Sequence, residues 1–146
     1  MKKIIFALLM MLEICFLSSL LIAGNDEPQK AIEKVAHEFA ESINQQDAVR
    51  FAAVFNSEAK FFVLTPQGFQ TNPPEKWVEA LKAKKIGGRE REIKLTGTDL
   101  TAGNVASVKV ETVDTAISFI FYLTLVKLEE NWRIVSVTAG VEQLKQ

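Results

Sequence analysis

Few side chains in this 146-residue sequence have the chemistry of an acid–base or nucleophilic centre. His37 is the only histidine, and at about 100° of rotation per residue it falls away from the apolar face of its predicted helix. We therefore predict a solvated surface histidine. A single histidine argues against a dedicated transition-metal site, and the sequence contains no Walker, GxGxxG, HExxH or GxSxG motif. We expect no metal and no cofactor.

Three aspartates are the acids to consider for catalysis. An isomerase or dehydratase needs an acid or base inside an apolar pocket, with a shifted pKa. Asp47 precedes a predicted short helix and is expected to be its N-cap. Asp99 and Asp114 lie near predicted loops, where solvated acids are usual. The sequence assigns none of them to a pocket, so we predict no catalytic residue; one directed into a deep cavity would favour an enzyme.

Several other side chains are candidate ligand contacts. Arg91 carries a planar guanidinium that suits a carboxylate, although a strand-end arginine paired with a surface acid is the alternative. Tyr122, the only tyrosine, presents its hydroxyl to a pocket or packs in the core with that hydroxyl satisfied. The remaining candidates are aromatic residues that line a cavity mouth or belong to the core: Trp77, Phe61, Phe62 and Phe69.

Basic residues are also grouped near one predicted helix end. Lys82, Lys84 and Lys85 crowd its last turn, where positive charge suits the negative end of the helix dipole. We interpret them as an exposed helix end rather than a binding patch. The whole chain has a formal net charge of −1 with both signs interspersed. We therefore predict no nucleic-acid surface and no polybasic membrane patch.

The first 24 residues have the features of an export signal. Lys2 and Lys3 precede an apolar run over 4–23, and a polar stretch follows Gly24. A basic tip, an apolar core and a small-residue exit are typical of a secretory signal. A run of about 20 residues is also long enough to span a bilayer. We predict a signal peptide or an N-terminal anchor over residues 1–24.

Residues 25–146 are then one exported domain, in the periplasm or outside the cell, whose only membrane contact would be an uncleaved anchor over 4–23. The only cysteine, Cys15, lies within the signal. Removing the signal would remove the cysteine too. We therefore expect neither a disulfide nor a thiol nucleophile in the mature domain.

Hydrophobic periodicity predicts three helices. The first begins at Pro28, has apolar residues at three- and four-residue steps, and ends at residues 44–46. The second spans 48–55. The third begins at Pro73-Pro74 and is closed by Gly87-Gly88.

Alternating and apolar segments predict strands for the rest of the chain. In the segment 116–128 both faces are apolar, which favours one face under the helices and the other against a partner chain. Three helices and a meander of long antiparallel strands indicate an α+β fold. The predicted strands are 59–64, 90–96, 106–111, 116–128 and 132–138, with a turn at 65–68 and a loop at 97–104.

Two stretches, 43–55 and 121–135, carry a resemblance to a known family. The second, FYLTLVKLEENWRIV, has an aromatic-rich strand, a lysine, a short charged turn and a Trp-Arg-Ile-Val sequence. In the first, Asp47 stands where the family has a turn acid. Together with the order of elements over 31–137, the pattern resembles the nuclear transport factor 2-like superfamily, and within it the bacterial lumazine-binding and SnoaL-like domain proteins. The matching positions of the second stretch are Lys127, Trp132, Arg133, Ile134 and Val135.

The resemblance implies a cone-shaped α+β fold in which three N-terminal helices pack on a curved antiparallel sheet and leave a conical cavity. Relatives with this fold include ketosteroid isomerases and SnoaL-like cyclases, and dimers are common among them. One position departs from the pattern. The family often has an acid before the strand tyrosine, whereas Phe121 precedes Tyr122 here. The departure argues against a shared polar ligand contact on this strand.

These observations predict an exported, non-catalytic domain that binds a small apolar or aromatic ligand in a conical cavity and forms a homodimer through its sheet. Two alternatives stay open. One is a protein–protein interaction module whose cavity is filled by its own side chains. The other is an isomerase or dehydratase of the ketosteroid isomerase or SnoaL-like kind.

Overall fold

The computed structural model describes residues 26–65 and 68–144, so the predicted signal segment lies outside the described residues. Within those ranges no helix combines the length and the apolar character needed to cross a membrane. The elements of this part of the chain are helices α1 (Asp26–Asn44) and α2 (Ala48–Ala53), strands β1 (Phe55–Thr65) and β2 (Gly68–Asn72), helix α3 (Pro74–Lys82), and strands β3 (Glu92–Thr101), β4 (Val105–Val113), β5 (Ile117–Leu128) and β6 (Asn131–Gln143).

The six strands form one sheet in the order β2-β1-β6-β5-β4-β3. Four neighbouring pairs are antiparallel, and β1 pairs with β6 in parallel. The predicted α+β class is confirmed, and the parallel pair is the one departure from the antiparallel sheet that we expected. It arises because the chain crosses by way of α3 to the far edge and then returns strand by strand. The last strand therefore reaches β1 in the same direction.

Helix α1 packs its predicted apolar face on the sheet. Ile32, Ala36 and Phe39 are fully buried, and α1 contacts β3, β4 and β6. Phe39 lies at the centre of this contact, with its ring 5.2 Å from Phe121 of β5 and 5.7 Å from Phe51 of α2. Burying an aromatic or large aliphatic side chain stabilises a fold by about 1.5–3 kcal/mol. The buried contact around Phe39 therefore holds the helices on the sheet.

The inner face of the sheet follows the predicted alternation. Val108 and Val110 of β4 are buried, with Leu123 and Leu125 of β5 beside them. Their neighbours in sequence point the other way because successive side chains of a strand alternate between faces. Register shifts interrupt the β1–β6, β3–β4 and β5–β6 pairings, and such bulges bend a sheet around the helices that it covers.

The predicted cap at Asp47 is confirmed. Its Oδ1 accepts hydrogen bonds from the amides of Val49 at 3.1 Å and Arg50 at 3.0 Å. The helix that it begins is shorter than predicted, because Phe55 already belongs to β1. The ring of Phe55 packs edge-on against Phe39 at 6.0 Å, so tertiary packing decides the state of this residue.

Two strand boundaries also differ from the sequence-based expectation. The strand β2, which begins at Gly68, was not predicted; it pairs with β1, with Thr65 opposite Gly68. Residues 97–101, predicted as loop, continue β3 after a register shift between Thr96 and Asp99. In both cases these residues form a strand because they pair with a neighbouring strand, although their local composition does not predict one.

The prediction that Gly87-Gly88 closes α3 is wrong. The helix ends at Lys82, with Ala83 as its C-cap, and Lys84 already adopts a left-handed conformation at φ 55°. The two glycines lie further along the loop 83–91, which joins α3 to β3.

Instead, the glycines let this loop fold onto the end of α1. The amide of Gly88 donates to the carbonyl oxygen of Ile43 at 3.2 Å, and Gln46 Nε2 donates to the carbonyl oxygen of Ile86 at 2.9 Å. Gly87 has φ +73°, and a β-carbon added there would lie 2.0 Å from the Ile43 oxygen. No larger residue fits between the two backbones.

Gly87→Ala should therefore destabilise the protein more than Gly103→Ala. Both glycines have positive φ, +73° and +76°, so both substitutions introduce a left-handed alanine, at about 1–2 kcal/mol. Only Gly87 adds a clash, since nothing lies within 4 Å of a β-carbon at Gly103. We expect Gly87→Ala to lower the free energy of unfolding, measured in urea, by about 1–3 kcal/mol more. Equal losses would contradict this role of the loop.

Candidate functional site

A cavity of about 330 Å³ opens between the end of α1, helix α3, the loop 83–91 and the sheet. Its walls are mainly apolar and aromatic, and its basic residues all come from the loop 83–91. The lining residues are Ile43 of α1, Trp77 of α3, Lys85, Ile86, Gly87, Arg89 and Arg91 of the loop, Thr112 of β4, and Phe119 and Phe121 of β5.

Trp77 forms the α3 wall of this cavity. Its indole stacks on the ring of Phe61 with centroids 4.7 Å apart and an angle of 21° between the planes. Phe61 itself is fully buried in the core. Of these two predicted ligand contacts, Trp77 therefore lines the cavity, and Phe61 packs against it in the core.

Arg91 is held against the sheet beside the cavity. Its carbonyl oxygen accepts a hydrogen bond from Asn44 Nδ2 at 3.0 Å, which ties it to the end of α1. Its Nε lies 3.4 Å from Asp114 Oδ2, and its guanidinium carbon lies 4.8 Å from the centroid of Phe119. The side chain is only 12% exposed. This arginine pairs with an acid, as in the alternative considered from the sequence, and it also lines the cavity; its contact with a ligand stays a prediction.

Asp114 is engaged by the turn that precedes β5. Its Oδ1 accepts from the amides of Ala116 at 2.9 Å and Ile117 at 3.0 Å. These two amide donors, with a smaller contribution from Arg91, hold the pKa of the Asp114 carboxyl below its usual value. The carboxylate is therefore a fixed, ionised partner of Arg91 rather than a proton donor.

Two of the predicted ligand contacts do not line the cavity. Tyr122 is 57% exposed and Phe69 is 68% exposed, on the sheet face opposite the helices. Phe121 occupies the inner face of β5, so the next side chain along the strand must point outward. Phe69 stacks on Phe62 with the ring centroids 6.0 Å apart. The structure thus corrects two predictions, since Phe69 does not join Trp77 at the cavity and Tyr122 neither lines the cavity nor packs in the core.

The other acids considered for catalysis are also placed away from the cavity. Asp47 caps α2, and Asp99 is exposed on β3. His37 is exposed on α1, as predicted. Among the described residues, no Asp, Glu or His side chain lines the cavity, and no group of three or more potential metal ligands is present.

Sequence reasoning missed the contribution of the loop 83–91. Lys85 and Arg89 lie at the cavity, whereas the lysines had been interpreted together as a helix end. The signal that could have found them is the density of basic residues after Lys82. Nothing in the sequence singles out Thr112 or Phe119, because their place depends on how β4 and β5 pair.

Comparisons with known proteins agree with this architecture. The model of the family described as "Putative lumazine-binding" matches residues 27–138. A nuclear transport factor 2-like protein of unknown function from Shewanella baltica superposes with a TM-score of 0.70 at 21% identity, covering 77% of this chain and 92% of that one. No curated protein matches the chain significantly.

Two further solved structures share the fold at lower identity. A ketosteroid isomerase-like protein from Erwinia carotovora atroseptica has a TM-score of 0.65 at 14% identity, covering 82% of this chain and 98% of that one. A cystatin-like protein of unknown function from Nostoc punctiforme has a TM-score of 0.59 at 15% identity, covering 77% and 89% of the two chains. At these identities the likeness concerns the fold.

The lowered pKa of Asp114, caused mainly by the two turn amides, predicts a pH-dependent stability. Asp114→Asn keeps an oxygen for the two turn amides but removes the charge. Since the pKa is lowered in the folded state, the charge stabilises the fold fully above the unfolded-state pKa of about 3.9. That stabilisation disappears as the pH falls through the folded-state pKa.

We therefore expect the Tm of Asp114→Asn to be lower than that of the wild type at pH 7. The two Tm values should converge as the pH is lowered below 4. Thermal melts at a series of pH values measure both. Asp99→Asn, at an exposed acid, is the matched control and should differ little from the wild type throughout. A gap for Asp114→Asn that stays constant with pH would contradict the ionic contribution.

Proposed function

The chain belongs to the family described as "Putative lumazine-binding", and from this premise we propose that it is a binding protein for a small aromatic ligand. The cavity is the observation that carries the proposal. Its volume of about 330 Å³ lies within the range of about 300–1,000 Å³ that is usual for small-molecule sites. A molecule of one or two fused rings is the size that fits.

The walls of the cavity favour a flat ring over a flexible chain. Trp77 and Phe119 present aromatic surface from α3 and from β5. Aromatic pairs prefer stacked or edge-on contacts and add about 0.5–1.5 kcal/mol beyond the burial of their area. Lumazine, which the family description names, is a fused-ring aromatic compound of this kind and is a rational first ligand.

The same geometry favours binding over catalysis. A proton-transfer enzyme on this fold would hold an acid or base against its substrate, and the cavity lining supplies cationic and hydroxyl groups instead. Of the three aspartates considered from the sequence, Asp47 caps α2, Asp99 is exposed on β3, and Asp114 pairs with Arg91. The N-terminal segment 1–24 supports the further proposal that the domain works outside the cytoplasm.

The outer sheet face favours a second function, which is self-association. Leu64 and Phe69 lie opposite each other on β1 and β2, and are 77% and 68% exposed. Phe62 and Tyr122 flank Thr138 in the pairing of β1, β6 and β5. A continuous exposed apolar surface of this kind is typical of a protein interface, and we propose that it is the contact between two copies of the chain.

Cavity binding is tested by the fluorescence of phenylnaphthylamine, a neutral aromatic probe, and by that of lumazine. In a Trp132→Phe background Trp77 is the only tryptophan, so its emission reports on the cavity. We expect saturable binding that changes the Trp77 emission. Thr112→Phe fills the cavity from β4 and should weaken binding roughly tenfold, which corresponds to about 1.4 kcal/mol.

Thr101→Phe makes the same chemical change at an exposed position on β3 and should leave the affinity unchanged. Ile43→Phe, which fills the cavity from α1, covers the case in which Thr112→Phe does not fold. The cavity would be refuted as a ligand site if neither probe showed saturable binding. It would also be refuted if Thr112→Phe and Thr101→Phe changed the affinity equally.

Self-association is tested by size-exclusion chromatography with light scattering, which gives the molar mass of the eluted protein. Leu64→Glu and Val49→Glu place a charge at two aliphatic residues with the same 77% exposure, one on the sheet face and one on α2. We expect a wild-type dimer, a Leu64→Glu monomer and a Val49→Glu dimer, because only the first substitution buries like charges in the interface. A wild type that stays monomeric at about 100 µM, a concentration at which a micromolar interface is saturated, would refute the interface.

A further inference from the structure

The segment that borders the cavity concentrates positive charge. Residues 82–91 contain three lysines, two arginines and one acid, Glu90, in a chain whose formal net charge is −1. Lys82 and Lys84 lie where positive charge complements the end of a helix dipole. Arg89 and Arg91 lie further along the loop, beyond the last turn in which the dipole acts, and Lys85 lines the cavity, whereas Lys82 and Lys84 do not.

Two cations of this group, Lys85 and Arg89, are exposed. Among the described residues, neither Lys85 nor Arg89 forms an ion pair. Both nevertheless line the cavity. Cations left unpaired beside an apolar cavity concentrate the electrostatic potential at its entrance, because the low-dielectric walls focus the field.

The backbone that carries these cations is held in place. The amide of Lys85 donates to the carbonyl oxygen of Ala80 at 2.9 Å, and the carbonyl oxygen of Ile86 accepts from Gln46 at 2.9 Å. The close contact of Gly87 with Ile43 adds a third fixed point. A ligand that meets charges on a pre-positioned loop orders less of the protein when it binds.

Arg91 supplies the third charge from deeper in the site. Asp114 contacts its Nε, and the face of Phe119 lies beneath the guanidinium. An arginine side chain has five N–H donors, and among the described residues the two terminal nitrogens of Arg91 make no hydrogen bond. Asp114 therefore orients the guanidinium and leaves the fork available to a carboxylate or similar oxyanion.

Apart from Asp114, the acids around this segment line a different groove. Glu90 and Glu41 line a neighbouring groove, to which Arg91 also contributes, and neither lines the cavity. Among the described residues, three cations line the cavity, and the one carboxylate paired with any of them is that of Asp114. An anionic ligand would thus be attracted at the entrance and would meet an aromatic surface inside.

We propose that the ligand of this cavity is an aromatic anion, whose ring lies against Trp77 while its carboxylate, or an equivalent oxyanion, binds between Lys85, Arg89 and Arg91. This inference rests on the proposed function and names the charge of the ligand class. It gives Arg91 the anion contact considered from the sequence, and it assigns a binding role to Lys85 and Arg89, of which Lys85 had been interpreted as part of a helix end.

Two probes of the same ring framework separate charge from shape. Anilinonaphthalenesulfonate carries a sulfonate that phenylnaphthylamine lacks. With the purified full-length protein, we expect the anionic probe to bind at least about tenfold more tightly than the neutral one. The preference should fall as salt is raised, since screening weakens exposed charges beyond about 10 Å at 0.1 M ionic strength.

Two double variants locate the effect. Lys85→Gln with Arg89→Gln should lower the preference for the anion, because only Arg91 then remains to bind the oxyanion, and should weaken the anionic probe much more than the neutral one. Lys82→Gln with Lys84→Gln removes the same charge from the same segment at positions outside the cavity and should retain the preference. Because all four side chains are exposed, both double variants should melt near the wild-type temperature.

Three results would overturn the proposal. Equal affinity of the wild type for the two probes would show that charge plays no part, although the cavity would still bind aromatic ligands. Equal weakening of the anionic probe in both double variants would indicate a diffuse surface field, suited to an anionic membrane, instead of a site. Failure of both probes to bind would refute the cavity function and this inference with it.

Discussion

The contact between α1 and the sheet through Phe39 is the constraint on which the rest of the molecule depends. Its ring lies within about 6.4 Å of the rings of Phe51, Phe55, Phe61 and Phe121. These rings come from a helix and from strands distant in sequence, so one buried side chain fixes several elements at once. Close packing of this kind has few alternative arrangements. The distance between the helix layer and the sheet is therefore set here.

The cavity is a consequence of that distance. Phe121 contacts Phe39 on one side and lines the cavity on the other. Where the aromatic cluster ends, the space between α1 and β5 is bounded by Trp77 and by the loop 83–91. The close approach of Gly87 to Ile43 brings that loop, with its basic residues, to the entrance. The aromatic core and the basic loop thus border the same cavity.

The two faces of the sheet have separate roles in this scheme. The inner face supplies the core and the aromatic wall of the cavity, and the outer face carries the exposed side chains of Leu64, Phe69 and Tyr122. The alternation of side chains along β5 places Phe121 and Tyr122 on opposite faces. An association through the outer face would leave the entrance of the cavity free, because the helices and the loop 83–91 lie on the other side.

The sequence by itself determined the fold class, the buried face of α1, the cap at Asp47 and the family, because these depend on periodicity and on local chemistry. It also pointed to Trp77 and Arg91. Only the tertiary structure decided that Tyr122 and Phe69 face outward, that Phe61 lies behind Trp77, and that Lys85 and Arg89 reach the cavity. Those positions depend on strand register and on how a loop folds back over a distant helix end. No local pattern encodes either, since a shift of one residue exchanges the two faces of a strand.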